Sequence, residues 1–306
     1  MSRLGLGTMT WGVQTDADEA AAQLIAFRDA GGTLVDTAAS YGLGQSEQIL
    51  GQLLADVVPR DEVVIATKAG IVATADERRA DASRGELLRR LEQSLRALGV
   101  DHVDLWSVHI ADDSVPFEET LAALDHAVTA GKARYVGVCN YDGWRTARAA
   151  TWQLATGRAP IVANQSRYNL LERGLEREVL PASAALGVGV LPYSPLGGGV
   201  LTGKYRDGVP ADSRSAVRGW SHGSDREIGI VEAVATAAQG LATSPIAVSL
   251  SWVRDRPGVT APVVGARTLG QLMSALVSES LVLPGEIRDA LDDVSRPARG
   301  YPEELN

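Results

Sequence analysis

Four residues of this 306-residue chain stand where short apolar runs end, and their types suit one kind of chemistry. Asp36 closes the run 33–36, Lys68 the run 63–68 and His109 the run 103–109. Tyr41 follows Asp36 in "DTAASYG". A free phenol ionises near pH 10, too high for an efficient proton donor at neutrality. An ammonium buried beside it favours the phenolate, so Lys68 is expected to lower the pKa of Tyr41. The ammonium itself needs a counter-charge, which Asp36 supplies. His109 can donate a hydrogen bond to a carbonyl and orient it. The set has no nucleophile–base pair, and the four histidines and one cysteine are too scattered to form a metal cluster. It suits protonation of an oxyanion formed when hydride attacks a carbonyl carbon. No side chain can supply hydride, so a nicotinamide is the expected source.

Singly, each residue has a plain structural reading. Aspartate starts turns at strand ends. A strand-end lysine is commonly surface, a lone histidine a satisfied structural group, and a lone tyrosine packing with a wet hydroxyl. Their arrival together at the ends of consecutive strands favours the chemical reading.

Such a rim needs a scaffold. Strand-like runs fall at 4–7, 33–36, 63–68, 103–109, 134–139, 161–164, 188–193 and 261–264, with helical periodicity between them. "TDADEAAAQLIAFRDAGG" opens with Thr15 and Asp18 at capping-box spacing and closes on Gly31 and Gly32. "SRGELLRRLEQSLRALGV" repeats the spacing with Ser83 and Glu86 and aligns Leu87, Leu88, Leu91, Leu95 and Leu98 on one face. Repeated βα units predict an α/β fold, a parallel eight-stranded (β/α)8 TIM barrel forming one domain over 1–306, with its site at the C-terminal strand ends. An open doubly wound sheet is the alternative, but no strand is followed by G-x-G-x-x-G. The segment 201–224 reads as a long loop over the barrel mouth. "ADERRAD" and "LLERGLERE" read as solvated surface.

Composition narrows the partners. A 45% hydrophobic fraction supports one large core, and a net charge of −9 disfavours nucleic acid. No apolar run is long enough for a membrane span, and "MSRLGLGTMTWG" lacks a secretory apolar region. The lone Cys139 excludes an internal disulfide and fits a cytoplasmic location. The expected partner is a small-molecule carbonyl compound; the sequence does not show an oligomeric state.

Seven stretches, "DTAASYG", "ATKAG", "VHIAD", "GVCNY", "NQSRYNLL", "YSPLGGGVLTGKY" and "VVGART", occur in that order. Together they resemble the aldo-keto reductases over nearly the whole chain. The resemblance implies NADPH-dependent reduction of an aldehyde or ketone, with NADH as the alternative cofactor, and a tetrad of Asp36, Tyr41, Lys68 and His109. Asn140 and Gln165 resemble the amides that hold the nicotinamide carboxamide, a group that both donates and accepts. Tyr193 resembles the aromatic on which the nicotinamide stacks. Ser194, Leu196 and Gly198 match the loop covering the pyrophosphate. Gly265, Arg267 and Gln271 match the 2′-phosphate and adenine contacts, and Arg267 near a helix N-terminus suits an anion. Gln271 also reads as a capping box with Thr268.

The chain departs from the pattern in three places. Cys139 stands where the family usually has Ser and is a weaker donor to the carboxamide. Ser274 and Ala275 replace a frequent Glu-Asn pair, which weakens the expected adenine contact. The N-terminal β-hairpin plug is absent or shortened, so the barrel floor is expected to be exposed or covered by another segment such as the tail "RPARGYPEELN". Trp11 and Trp220 are the expected substrate walls, with Tyr301, Arg218 and His222 as further candidates. Two other functions fit parts of the sequence: a nicotinamide-binding redox-sensing or regulatory subunit with little turnover, and a barrel enzyme using Lys68 as an amine nucleophile.

Overall fold

The computed structural model describes residues 1–74, 76–206, 223–298 and 300–301. Ten strands occur in chain order: β1 (Gly5–Gly7), β2 (Leu34–Asp36), β3 (Val64–Ala69), β4 (Ile71–Ala73), β5 (Arg78–Ala80), β6 (Val103–Val108), β7 (Ala133–Cys139), β8 (Ile161–Arg167), β9 (Gly189–Tyr193) and β10 (Val263–Gly265). Eight of them close a parallel barrel in the order β1-β10-β9-β8-β7-β6-β3-β2. The expected strands lie within a few residues of those observed, and the α/β barrel is confirmed.

Side-chain alternation decides what faces the lumen. Leu34, Ala66, Ala163, Leu191 and Ala261 form a small inner cluster. Asp36, Lys68, Gln165 and Tyr193 lie two residues further along the same strand faces, one layer nearer the C-terminal ends. Intervening residues such as Val35, Ile65, Trp106, Val136 and Val138 join the larger outer core against the helices. That core receives Leu24 of α1 (Ala17–Asp29), Leu50 of α2 (Gln45–Asp56), Leu87 and Leu91 of α3 (Arg84–Leu98), and Leu121 and Leu124 of α4 (Phe117–Thr129).

Two helix starts differ from expectation. Asp16, not Thr15, caps α1 by accepting from the Glu19 amide at 2.9 Å. Thr15 instead donates to Thr10 Oγ1 and the Arg267 carbonyl, tying the first loop to the last. At α3, Ser83 Oγ donates to Asp81 at 2.6 Å, and Glu86 is held by Arg89 and Arg90, so no capping box forms.

The antiparallel β4–β5 hairpin lies between β3 and α3, and its β5 strand falls inside the stretch "ADERRAD" expected to be mere surface. Its strands are three residues long and polar on the β5 side, so they carry no hydrophobic period.

Among the described residues no strand lies ahead of β1. Ser2 Oγ accepts from the Thr33 and Leu34 amides and donates to the Leu4 carbonyl, pinning the chain at the barrel's N-terminal end. Beneath the inner cluster, Val64 and Leu105 are half-buried and Tyr135 is 58% exposed, so among the described residues the floor is open and apolar. The described start of the tail lies elsewhere: the Ala298 carbonyl accepts from Arg177, in the connection after β8 at the opposite end, and residues 302–306 lie outside the described residues. Among the described residues no single helix is long and apolar enough to cross a membrane.

Candidate active site

Lys68 enters the lumen at the end of β3, and its ammonium is fully engaged. Nζ donates to both Asp36 carboxylate oxygens at 2.8 Å and to the Thr37 carbonyl at 2.7 Å. The lysine and aspartate side chains are only 2% and 4% exposed. Burial pulls the ammonium pKa down, but Asp36 and the other acidic partners outweigh it and hold it above the usual lysine range. A clamped, charged Lys68 is not a free amine, which argues against the nucleophile reading.

Tyr41 lies in the loop after β2, at the start of a short turn, Tyr41–Gly44. Gly42 and Leu43 both have left-handed backbones, with φ of 55° and 56°. At Gly42 a Cβ would lie 3.2 Å from the Trp11 carbonyl oxygen. Lys68 Nζ sits 5.1 Å from the Tyr41 ring centroid, and the His109 ring packs edge-on at 5.8 Å and 77°. Burial pushes the phenol pKa up more than Lys68 pulls it down. This corrects the expected direction: Tyr41 stays protonated, and the nearby ammonium is placed to stabilise the phenolate once the proton has left.

His109 follows β6, with its amide on the Ala69 carbonyl at 2.7 Å. Burial, then the charges of Lys68 and Arg78, depress its pKa to about 3, so the imidazole is neutral. Its Nδ1 is buried without a hydrogen-bond partner among the described residues. With no acceptor at Nδ1, the favoured tautomer carries its proton on Nε2, the donor a carbonyl would need.

The opposite rim is knitted by amides. Gln165 Nε2 donates to Asp36 Oδ1 at 2.7 Å across the lumen, so part of its capacity supports the tetrad. Asn140, at φ 58°, donates from Nδ2 to the His109 carbonyl at 3.0 Å and accepts from the Tyr193 hydroxyl at 2.9 Å. Cys139 is buried, and burial pushes its thiol pKa up to about 12. Two groups escaped the sequence reading. Asn169 donates to the Ser194 carbonyl and shapes the loop where Ser194 has φ 51°. Lys204 lies beside Gly197–Gly199, three successive left-handed glycines; a Cβ on Gly199 would be 2.9 Å from Lys204 Nζ. Both sit in quoted motifs, but nothing in their spacing singled them out.

Leu196 begins this loop and packs against the outer core. Gly198, at φ 68°, lies within the cradle. Gly265 ends β10 beside β1, and Arg267 follows just before α9 (Leu269–Leu276). Thr268 caps this helix by accepting from the Gln271 amide at 3.4 Å, but Gln271 Oε1 accepts from the Arg267 amide at 2.9 Å rather than from the Thr268 amide, so the expected capping box is only half formed. Ala275 is buried in the outer core.

Trp11 is a correction. Its indole is 0% exposed and donates to Gln23 Oε1 at 3.2 Å, so it packs the first loop against α1 rather than walling a pocket. Met9, Leu43 and Ile110, 40%, 61% and 38% exposed, are apolar side chains in the described loops around the mouth. Trp220, Arg218 and His222 lie outside the described residues. Tyr301 is 80% exposed and walls nothing among them.

Comparison with known proteins agrees with this geometry. The family model described as "Aldo/keto reductase family" matches residues 3–296. The uncharacterized oxidoreductase YrpG of Bacillus subtilis is 35% identical over 96% of this chain and 92% of its own length. The L-glyceraldehyde 3-phosphate reductase of Escherichia coli K12 is 36% identical over 80% of this chain and 74% of its own. A rice protein named "Probable voltage-gated potassium channel subunit beta" is 34% identical over 98% of this chain and 95% of its own.

Proposed function

Because the chain belongs to the aldo/keto reductase family, and so is an NAD(P)H-dependent oxidoreductase acting on carbonyl compounds, we propose that it reduces an aldehyde or ketone to the alcohol with NADPH and with a proton from Tyr41. The observation that carries this reading is the Lys68 ammonium, held by Asp36 and Thr37 against the Tyr41 ring. Tyr41 donates its proton to the carbonyl oxygen as negative charge develops there. Lys68 stabilises the phenolate that remains, and Asp36 keeps Lys68 charged and in place. Neutral His109 donates to the same oxygen and orients the carbonyl.

The cofactor residues fit. Gly197, Gly198 and Gly199 expose backbone without side chains, and Lys204 adds positive charge beside them, which suits a pyrophosphate. Arg267, next to a helix N-terminus, suits the 2′-phosphate, which favours NADPH over NADH. Asn140 and Gln165 orient the carboxamide, Cys139 lies beside them, and the half-buried Tyr193 ring offers a stacking face. Ser194 and Leu196 shape the covering loop, Gly265 allows close approach at the adenosine end, and Gln271 orders that end by holding the Arg267 amide. When bound, the reduced nicotinamide supplies the hydride that the side chains cannot. The buried thiol of Cys139 suits a cytoplasmic setting.

Titration with NADPH and NADH, followed by tryptophan fluorescence, tests the cofactor half. The Tyr41→Phe variant tests the proton half: it should lose about 10²–10⁴-fold in turnover while binding NADPH as wild type does. An equal loss of cofactor binding would remove Tyr41 from that role. The likeness to the rice channel subunit supports a second reading, a nicotinamide-binding regulatory subunit with little turnover. Tight NADPH binding without turnover across a panel of aldehydes and ketones would favour it.

A further inference from the structure

The β4–β5 hairpin brings a cation to the barrel mouth that the tetrad does not use. At its base the Asp81 amide donates to the Gly70 carbonyl, directly after β3. A Cβ on Gly70 would lie 3.6 Å from the His109 amide nitrogen, so this base abuts the backbone of a tetrad residue. Ile71 pairs with Ala80 and Ala73 with Arg78. Arg78 is therefore three residues out from Asp81 along β5, about 10 Å from the base at strand spacing. Its positive charge reaches the His109 imidazole.

Arg78 is exposed, and its guanidinium makes no hydrogen bond or ion pair among the described residues. Of its acidic neighbours, Glu77 and Asp81 both pair with Arg79, and Asp81 also takes the Ser83 hydroxyl. Met9, Leu43 and Ile110 in the loops around the mouth are apolar, and the protein as a whole carries a net charge of −9. An anionic substrate is repelled by the overall charge and needs a local cation to hold it.

We propose that Arg78 is a specificity-determining residue that binds the anionic group of a carboxylate-bearing carbonyl substrate while its reactive carbonyl lies at Tyr41 and His109. The proposal rests on the reductase reading above. A guanidinium meets a carboxylate with two parallel N–H donors, which a neutral analogue cannot exploit.

The test compares 4-carboxybenzaldehyde with methyl 4-formylbenzoate, which keep the same reacting group and ring and differ in charge. In Arg78→Gln, kcat/KM for the acid should fall about 5- to 30-fold, mainly through KM, between the effects of an exposed ion pair and a charged hydrogen bond. The ester should change less than about two-fold. Arg78→Lys should recover part of the loss, and added salt should erode the wild-type advantage. An acid-to-ester ratio unchanged by Arg78→Gln, with the ester still turned over, overturns the role of Arg78 alone. No turnover of either aldehyde by the wild-type protein overturns the reductase reading and the proposal with it.

Discussion

Replacing Asp36 by Asn keeps the shape of the side chain and removes its charge. In the native site Lys68 Nζ contacts both carboxylate oxygens at 2.8 Å, and Gln165 Nε2 contacts Oδ1 at 2.7 Å. Both partners are donors. An asparagine offers one oxygen to them, and either orientation of its amide points an NH2 group at a donor. The ammonium would then be buried with the Thr37 carbonyl and one amide oxygen as acceptors and with no counter-charge. Breaking a buried pair from one side costs about 3–5 kcal/mol. For 306 residues the unfolding entropy is about 0.6 kcal/mol/K, so the expected loss of Tm is about 5–8 °C. Turnover should fall too, because a lysine that sheds its proton no longer stabilises the Tyr41 phenolate. Thermal denaturation of Asp36→Asn, Lys68→Met and the double variant measures the coupling. The double variant should be more stable than Asp36→Asn alone, since it removes the stranded charge. A loss below about 1 kcal/mol in the single variant, or an additive double variant, would refute the account of a buried and coupled pair.

Three further outcomes are expected. Arg267→Ala should weaken NADPH far more than NADH in fluorescence titrations, because the 2′-phosphate alone distinguishes them; equal weakening would remove Arg267 from that contact. His109, with its pKa depressed to about 3, contributes stability that is fully present above about pH 6.5 and is lost as pH falls from there toward 3. From pH 6.5 to 5 this is at most about 2 kcal/mol, reduced by solvent at the rim, so His109→Gln should lose less Tm over that range than wild type, and parallel losses would contradict a neutral buried imidazole. Cys139→Ser should keep or slightly tighten NADPH binding, since a hydroxyl is the better donor; a large loss would assign Cys139 to packing alone.

Much of the architecture was legible because barrel strands and covering helices announce themselves by period. Val35 beside Asp36 and Ile65 beside Ala66 are alternating residues whose faces can be read without coordinates. Strand ends then located Asp36, Lys68 and His109. What stayed hidden depends on tertiary competition. Desolvation outweighs Lys68 at Tyr41, so the direction of its pKa could not be had from neighbours alone. Trp11 looked like a loop aromatic until its indole found Gln23 on the adjoining helix. The β4–β5 hairpin is too short and polar to show a period, and with it Arg78 passed as ordinary surface.

The hydrogen bond from Gln165 to Asp36 joins residues 129 positions apart, and their strands β8 and β2 stand four places apart by either route around the eight-strand ring. It is a diameter of the ring. No half of the barrel contains both ends, so a fragment can hold helices and paired strands yet still lack the carboxylate's final partner. Catalytic competence therefore reports ring closure, a late and non-local folding event, rather than secondary-structure content. Mild denaturant should abolish turnover before it diminishes the helical signal.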